Sequence, residues 1–368
     1  KMLSLPDGTL HMGVLDRGGF TSVDRTVAAA RMVPETGANL ALDFCEEDPD
    51  YVFRLSSSSQ GKVSRAFYST DGGKTWIERQ DFPYGLGLSV AVSAKKQANG
   101  WPLLVIMSSN NPPKLSRDFG ATWEDTVFTG GETPVKYNDA TIFYRSYILD
   151  ADRIQENTFY LYDFVGGKFF TSTDGKNWTL KADNLAKGGS ASDIAGVRAA
   201  PFMPGEVWIS NNERGLYKSS DFGNTFTKID HVQNARMFSF GAGKPGNSNP
   251  SVYVYGRVDN RDGVFRSDDM GATWTRLTCD AYLIANDPKS IIGDRKYYGL
   301  VYVGTGGRGI YYGQPLGLDT TPPRLTVDQK SSGAVRDADY AVRQSDYVIT
   351  GAVTEACELF INGAKVGT

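Results

Sequence analysis

The sequence is poor in the side chains that most often do chemistry. Its 368 residues include two histidines, His11 and His231, and three cysteines, Cys45, Cys279 and Cys357. A structural zinc site draws on four Cys or His ligands in paired spacings, and no such pairs occur. No Gly-x-Ser-x-Gly turn is present and neither histidine lies beside a nucleophile motif, which argues against a Ser-His-Asp triad. Three scattered cysteines are not a disulfide framework and leave the redox compartment open. Long apolar runs are missing too, since stretches such as 103–107 fall far short of a bilayer span. No charged-then-apolar leader opens the sequence, which reads as cytosolic or already processed. The formal net charge is −3, from 39 basic and 42 acidic residues, so nothing pulls the chain toward nucleic acid or an anionic membrane.

What is present is glycine (41), tyrosine (19), phenylalanine (19) and tryptophan (6). With 40% apolar and 22% charged residues a sizeable core can be buried, and the composition is not that of a disordered chain. This is the palette of a β-rich protein with aromatic surfaces, of the kind that often handles sugars.

Self-similarity decides the fold class. The octet Ser69-Thr-Asp71-Gly-Gly73-Lys-Thr75-Trp76 returns as Ser116-Arg-Asp118-Phe-Gly120-Ala-Thr122-Trp123 and as Ser267-Asp-Asp269-Met-Gly271-Ala-Thr273-Trp274. Ser219-Ser-Asp221-Phe-Gly223-Asn-Thr225-Phe226 ends on Phe, and Ser172-Thr-Asp174-Gly175-Lys-Asn-Trp178 is one residue shorter. The five aspartates follow one another at intervals of 47, 56, 47 and 48 residues. Each copy has the chemistry of a tight turn between two strands. The Asp bonds backbone N–H groups, the Gly supplies a positive φ, and the aromatic anchors the turn in an apolar layer. Strand-like runs such as Lys168-Phe-Phe-Thr and Gly263-Val-Phe-Arg precede the octets. This is the Asp-box (BNR) repeat of β-propellers, and turn chemistry accounts for every residue in it, so the octets mark architecture rather than a site.

A period near 48 predicts four-stranded blades. Residues 1–45 and the run Val301 to Tyr312 supply strands without an octet, which predicts an all-β, seven-bladed propeller over 1–315, closed by terminal segments. Residues 316–323 read as a linker. Over 324–368, Leu325-Thr-Val, 346–353 and Glu358-Leu-Phe-Ile361 with an Asn362-Gly363 turn read as the opening of an immunoglobulin-like β-sandwich, cut short.

Several segments resemble the second propeller of the glycoside hydrolase family 74 xyloglucanases. They are Ser251-Val-Tyr-Val-Tyr-Gly, Gly263 to Trp274, and Tyr302-Val-Gly-Thr-Gly-Gly-Arg-Gly-Ile-Tyr-Tyr-Gly313. Glu206-Val-Trp-Ile, Asn157 to Asp163 and Leu42-Asp-Phe-Cys-Glu46 fit as well. The resemblance covers nearly all of 1–315. It implies two propellers facing each other across a cleft, each giving one catalytic aspartate, and hydrolysis with inversion. The general acid of the second propeller lies in a run similar to Leu15-Asp16-Arg17-Gly18-Gly19-Phe20-Thr21-Ser22-Val23-Asp24. Asp16, Gly19, Phe20 and Asp24 match it, while Thr21, Ser22 and Val23 replace an Arg, a His and an Asp. The resemblance therefore implies Asp16 as the general acid, with Gly18, Gly19 and Phe20 against the polysaccharide. Read from the residues alone, Asp16 is better explained as a cap on a Gly-Gly turn, and the family resemblance reverses that preference.

The implied enzyme is a secreted endo-β-1,4-glucanase acting on xyloglucan or a related β-glucan, with no metal or organic cofactor. Its general base lies on a first propeller outside this chain, so this chain alone is expected to be inactive. The rival reading is a carbohydrate- or protein-binding Asp-box propeller without catalysis. A sialidase would need an arginine triad opened by an FRIP-like run, which is absent. Asp43 and Glu46 read as hydrogen-bonded turn acids, and Trp101, Trp208, Tyr84 and Tyr137 as sugar platforms or interblade packing. Arg214 and Arg308, each before a glycine, read as a repeated structural feature, and His11 as a satisfied core histidine.

Overall fold

The computed structural model describes residues 1–14, 17–57, 64–79, 82, 87–108, 111–131, 133–134, 147–188, 195–278 and 288–315, and beyond them four short strands between 325 and 367. By contact the chain divides into two units, Lys1–Val23 with Ala28–Leu318, and Asp24–Val27 with Asp319–Thr368.

The first unit is built, among the described residues, from seven sheets met in chain order, antiparallel except for one added edge strand. Blade 1 runs from Met2–Ser4 to Ala30–Arg31, blade 2 from Asn39–Phe44 to Ile77–Arg79, and blade 3 from Gly87–Lys96 to Glu124–Asp125. Blade 4 runs from Leu149–Ala151 to Asn177–Ala182, blade 5 from Ala195–Ala199 to Thr227–Lys228, and blade 6 from Val232–Gly241 to Thr275–Arg276. Blade 7 holds Ser290–Gly293, Val301–Gly304 and Ile310–Gly313. The first strand of each sheet packs on the first strand of the next, and that of blade 7 packs on that of blade 1, so the ring closes. Seven blades match the expectation from the repeat.

Burial follows from this arrangement. Each blade is covered on both faces by its neighbours, so inner strands such as Asn39–Phe44 are buried at every position rather than alternating. Outer strands such as Thr227–Lys228 are exposed. Blade 4 carries a fifth strand, Val127–Phe128, laid parallel along its outer edge, which the repeat did not announce.

The octets form the turns between third and outer strands, and their bonds are those of the turn itself. Ser69 Oγ donates to Asp71 Oδ1 at 2.7 Å and accepts from Gly73 N at 2.8 Å. Asp71 accepts from Thr75 N at 2.9 Å and from Thr75 Oγ1 at 2.6 Å. Asp118, Asp221 and Asp269 repeat the pattern, and in the shorter copy Asn177 takes the threonine's place on Asp174. These bonds to the charged form hold all five carboxyls below the usual range. The glycine is required by more than its φ. A Cβ at Gly223 (φ +86°) would stand 2.2 Å from Phe169 of the preceding blade, and one at Gly120 2.8 Å from Phe53. The residue before it is also left-handed, and in three copies it is Phe119, Phe222 or Met270. Phe119 is fully buried, edge-on to Phe53 and stacked on Trp101. Packing into the preceding blade offsets a conformation that costs a side chain about 1–2 kcal/mol.

In the second unit the strands Leu325–Val327 and Gly351–Val353 pair antiparallel, as do Leu359–Ile361 and Ala364–Gly367. The last pair brackets the expected Asn362-Gly363 turn, whose residues lie outside those described.

Candidate functional site

Antiparallel order puts the connections of a propeller at two ends. The octets lie at one end, with the turns between first and second strands. At the other end are the turns between second and third strands and the links from each outer strand to the next inner strand.

The hairpin that carries the Asp16 run belongs to this second end. Leu10–Gly13 pairs with Gly19–Ser22 in the register His11↔Thr21, Met12↔Phe20, Gly13↔Gly19, and Val14 N then donates to Gly18 O at 3.2 Å. Leu15 and Asp16 lie outside the described residues, and Arg17 is exposed. Gly18 is left-handed (φ +68°) and donates to Gly37 O at 2.6 Å. Gly19 is buried, and a Cβ on it would stand 2.6 Å from Met12 O. Both glycines therefore shape and pack the hairpin, and Phe20 is half-buried beside them. Thr21, at a position where the family run carries a polar residue, bonds His11 Nδ1 at 2.9 Å. Asp24 accepts from Thr26 N and Oγ1 at 2.8 and 2.7 Å in the following turn.

A cavity of about 650 Å³ opens beside the base of this hairpin, among blades 7, 1 and 2. Val14, Asn39, Ser290 and the glycine-rich turn Gly304 to Gly309 are among its walls, and its described lining includes no carboxylate. Tyr147 lies between two basic side chains, with Lys1 Nζ and Arg198 Cζ each 3.6 Å from its ring centre. Burial, with Arg198 nearby, lowers the Lys1 ammonium well below its ordinary value.

The other candidates fall into structural places. Asp43 is buried far from the rim, where Arg153 Nη1 reaches it at 2.8 Å and Val92 N at 2.7 Å. Arg153 also bonds Asp150, so two carboxylates, one from blade 2 and one from blade 4, share one guanidinium. Burial pushes Asp43 up to about 6, helped by Asp150 and against the pull of Arg153. Glu46 pairs with Arg295 at 2.9 and 3.0 Å, tying blade 7 to blade 2. Sequence reading missed Asp150 and Arg153, although Leu42-Asp43 and Leu149-Asp150 repeat one dipeptide on two inner strands. Trp208 is fully buried and donates to Glu206 at 2.6 Å, and Trp101 is held among Tyr51, Tyr68 and Phe119 at the octet end. Tyr84 and Tyr137 lie outside the described residues. Arg214 and Arg308 occupy the same turn in two blades, each before a left-handed glycine, Gly215 and Gly309. His11 is buried, with Nε2 on Gly72 O at 3.1 Å.

Fold and repeat define the class as an Asp-box β-propeller, and residues 216–229 match the BNR-Asp box repeat. Over 354 residues, 95% of the chain is aligned at 31% identity with the xyloglucanase Xgh74A of Acetivibrio thermocellus. The crystal structure of the Niastella koreensis GH74 enzyme superposes with a TM-score of 0.70 at 27% identity, over 85% of this chain and 42% of that one. The GH74 xyloglucanase of Xanthomonas campestris gives 0.70 and 27%, over 86% and 43%. The chain is thus a homologue of the glycoside hydrolase family 74 xyloglucanases. It spans 39% of the length of the Acetivibrio thermocellus protein.

Proposed function

We propose that this propeller is one half of an inverting xyloglucan-hydrolysing endo-β-1,4-glucanase and that Asp16 is its general acid. The observation that carries this reading is the family 74 homology along 95% of the chain. Protonation of the leaving glycosidic oxygen by Asp16 requires a carboxyl that stays protonated near neutral pH, through burial or a facing carboxylate. The base would activate water from the opposite side of the sugar, about 6.5–9.5 Å from the acid. No carboxylate is found among the described walls of the neighbouring cavity. The base is therefore assigned to a first propeller facing this one, and the chain alone would be inactive. Phe20, with the turn shaped by Gly18 and Gly19, would meet the polysaccharide beside Asp16. A cell-wall substrate sets the working place outside the cell, and the second unit would be an immunoglobulin-like spacer or binding module.

The test is xyloglucan hydrolysis by the parent polypeptide, wild type against Asp16→Ala. Loss of oligosaccharide release in the variant supports the reading, and unchanged release removes Asp16 from it. The absence of a carboxylate among the described walls of the cavity favours a second reading, a propeller that binds polysaccharide without cutting it. Retardation by xyloglucan in a native gel with no hydrolysis by the wild-type parent would establish that instead.

A further inference from the structure

One interblade space is filled by aromatic rings in blade 2 and left open in blade 5. In blade 2, Val52 pairs with Ser69, the first octet residue, and in blade 5 Val207 pairs with Ser219 in the same way. The residues just before these are Tyr51 and Tyr68 in blade 2, and Glu206 and Lys218 in blade 5. From the following blade comes the left-handed fourth residue of its octet, Phe119 in one case and Met270 in the other. Tyr51, Tyr68 and Phe119 all pack on Trp101, with ring centres 5.7–5.8 Å apart.

With an acid, a base and a methionine in these places, blade 5 keeps a cavity of about 240 Å³ at the octet end, lined also by Met203, Ser220 and Thr227. Glu206 is buried. Its Oε1 accepts from Trp208 Nε1 at 2.6 Å, and its Oε2 has no hydrogen-bond partner among the described residues. Burial raises its pKa, against the pull of the Trp208 N–H and of the Lys218 charge. Lys218 Nζ donates to Met270 O at 3.0 Å, which leaves two of its three donors unused. A carboxylate acceptor and a cationic donor thus face one space without bonding each other. Burying a carboxylate where rings fit costs stability, so the exchange points to a ligand rather than to packing.

The acid and the base together carry no net charge, which disfavours an ionic ligand. A separated acceptor and donor, with the hydroxyls of Ser220 and Thr227, suit a ring whose own hydroxyls both donate and accept. The two thioether chains offer an adaptable apolar wall to its C–H face. The cavity has room for about eight waters at about 30 Å³ each, the space of one sugar ring. We propose that this pocket between blades 5 and 6 binds a single neutral pyranose unit, with Glu206 Oε2 accepting from one hydroxyl and Lys218 donating to another. It lies at the opposite end of the ring from the Asp16 hairpin, and would hold a polysaccharide without entering the cleft. The choice of sugar rests on the polysaccharide reading above, but binding here requires neither Asp16 nor hydrolysis.

Titration of the parent polypeptide with the methyl glycosides of glucose, xylose and galactose, followed by hydrogen–deuterium exchange, tests it. At least one should slow exchange across 218–227. Glu206→Gln keeps a carbonyl for Trp208 but turns the free acceptor into a donor, and should weaken binding by about tenfold or more. Thr227→Trp, on the exposed outer strand, covers the mouth without touching Glu206 and should abolish the protection while xyloglucan hydrolysis stays at the wild-type level. Failure of all three glycosides to protect 218–227 overturns the proposal, and so does protection that survives Thr227→Trp. Protection by free arginine but by no glycoside also overturns it, because the two charges would then be reading a zwitterion. Hydrolysis without protection removes this site alone, whereas protection without hydrolysis upholds it and removes the catalytic reading.

Discussion

Both ring nitrogens of His11 are engaged, one by Thr21 and the other by the Gly72 carbonyl, inside the contact between blades 1 and 2. Burial lowers its pKa to about 4. A base depressed in the folded state binds fewer protons than in the unfolded chain, so its contribution is present above pH 6.5 and is lost as pH falls toward 4. The loss amounts to about 3 kcal/mol. Urea unfolding across this range should show the gap between wild type and His11→Gln narrowing by that order, and parallel curves would count against it. Glycines give a second residue-scale contrast. Gly223→Ala places a methyl against Phe169 at a left-handed position and should cost about 3 kcal/mol. Gly100 is also left-handed (φ +83°), but a methyl added there would meet nothing within 4 Å, and Gly100→Ala should cost about 1 kcal/mol. Equal shifts in thermal unfolding would mean that the octet glycine serves its turn alone.

At the scale of the element, the octets were the most legible part of the sequence because they are local. Their bonds join residues two to four apart, and the local residue order therefore encodes them directly. What was not legible is non-local. Arg153 meets Asp43 across 110 residues, and the parallel strand Val127–Phe128 is placed by the edge of blade 4 rather than by its own pattern. The left-handed Phe119 ran against local preference, because its ring finds a place in the preceding blade. The buried triad yields a prediction of its own. Arg153→Met strands two carboxylates in the interior and should cost about 4 kcal/mol at pH 7.5. Asp43, already raised to about 6, favours its protonated form in the folded state. That preference contributes fully below the ordinary carboxylate pKa and is lost as pH rises through about 6. The penalty of Arg153→Met should therefore shrink at pH 5, and a denaturation series in which it grows would contradict the shared-guanidinium account.

For the whole molecule, seven blades close a ring whose two ends differ in kind. At the octet end the aspartates are consumed by their own turns, while the other end carries the Asp16 hairpin, the glycine-rich turn and the large cavity. The sequence made the ring legible through a constant period, and it made the hairpin legible only by resemblance, since an aspartate before two glycines is ordinary turn chemistry. A cleft needs a second wall, and the chain covers 39% of a relative's length. On the proposed reading, catalysis would belong to a longer polypeptide that supplies that wall. The most direct measurement compares Asp16→Ala and wild-type parent on two substrates, xyloglucan and an aryl xylogluco-oligosaccharide whose leaving group departs without protonation. If Asp16 is the general acid, the variant loses xyloglucan hydrolysis by about 100-fold or more while cleavage of the aryl substrate is largely retained. Equal loss on both substrates would mean that Asp16 supports the hairpin rather than donating a proton, and equal activity on both would place the acid elsewhere.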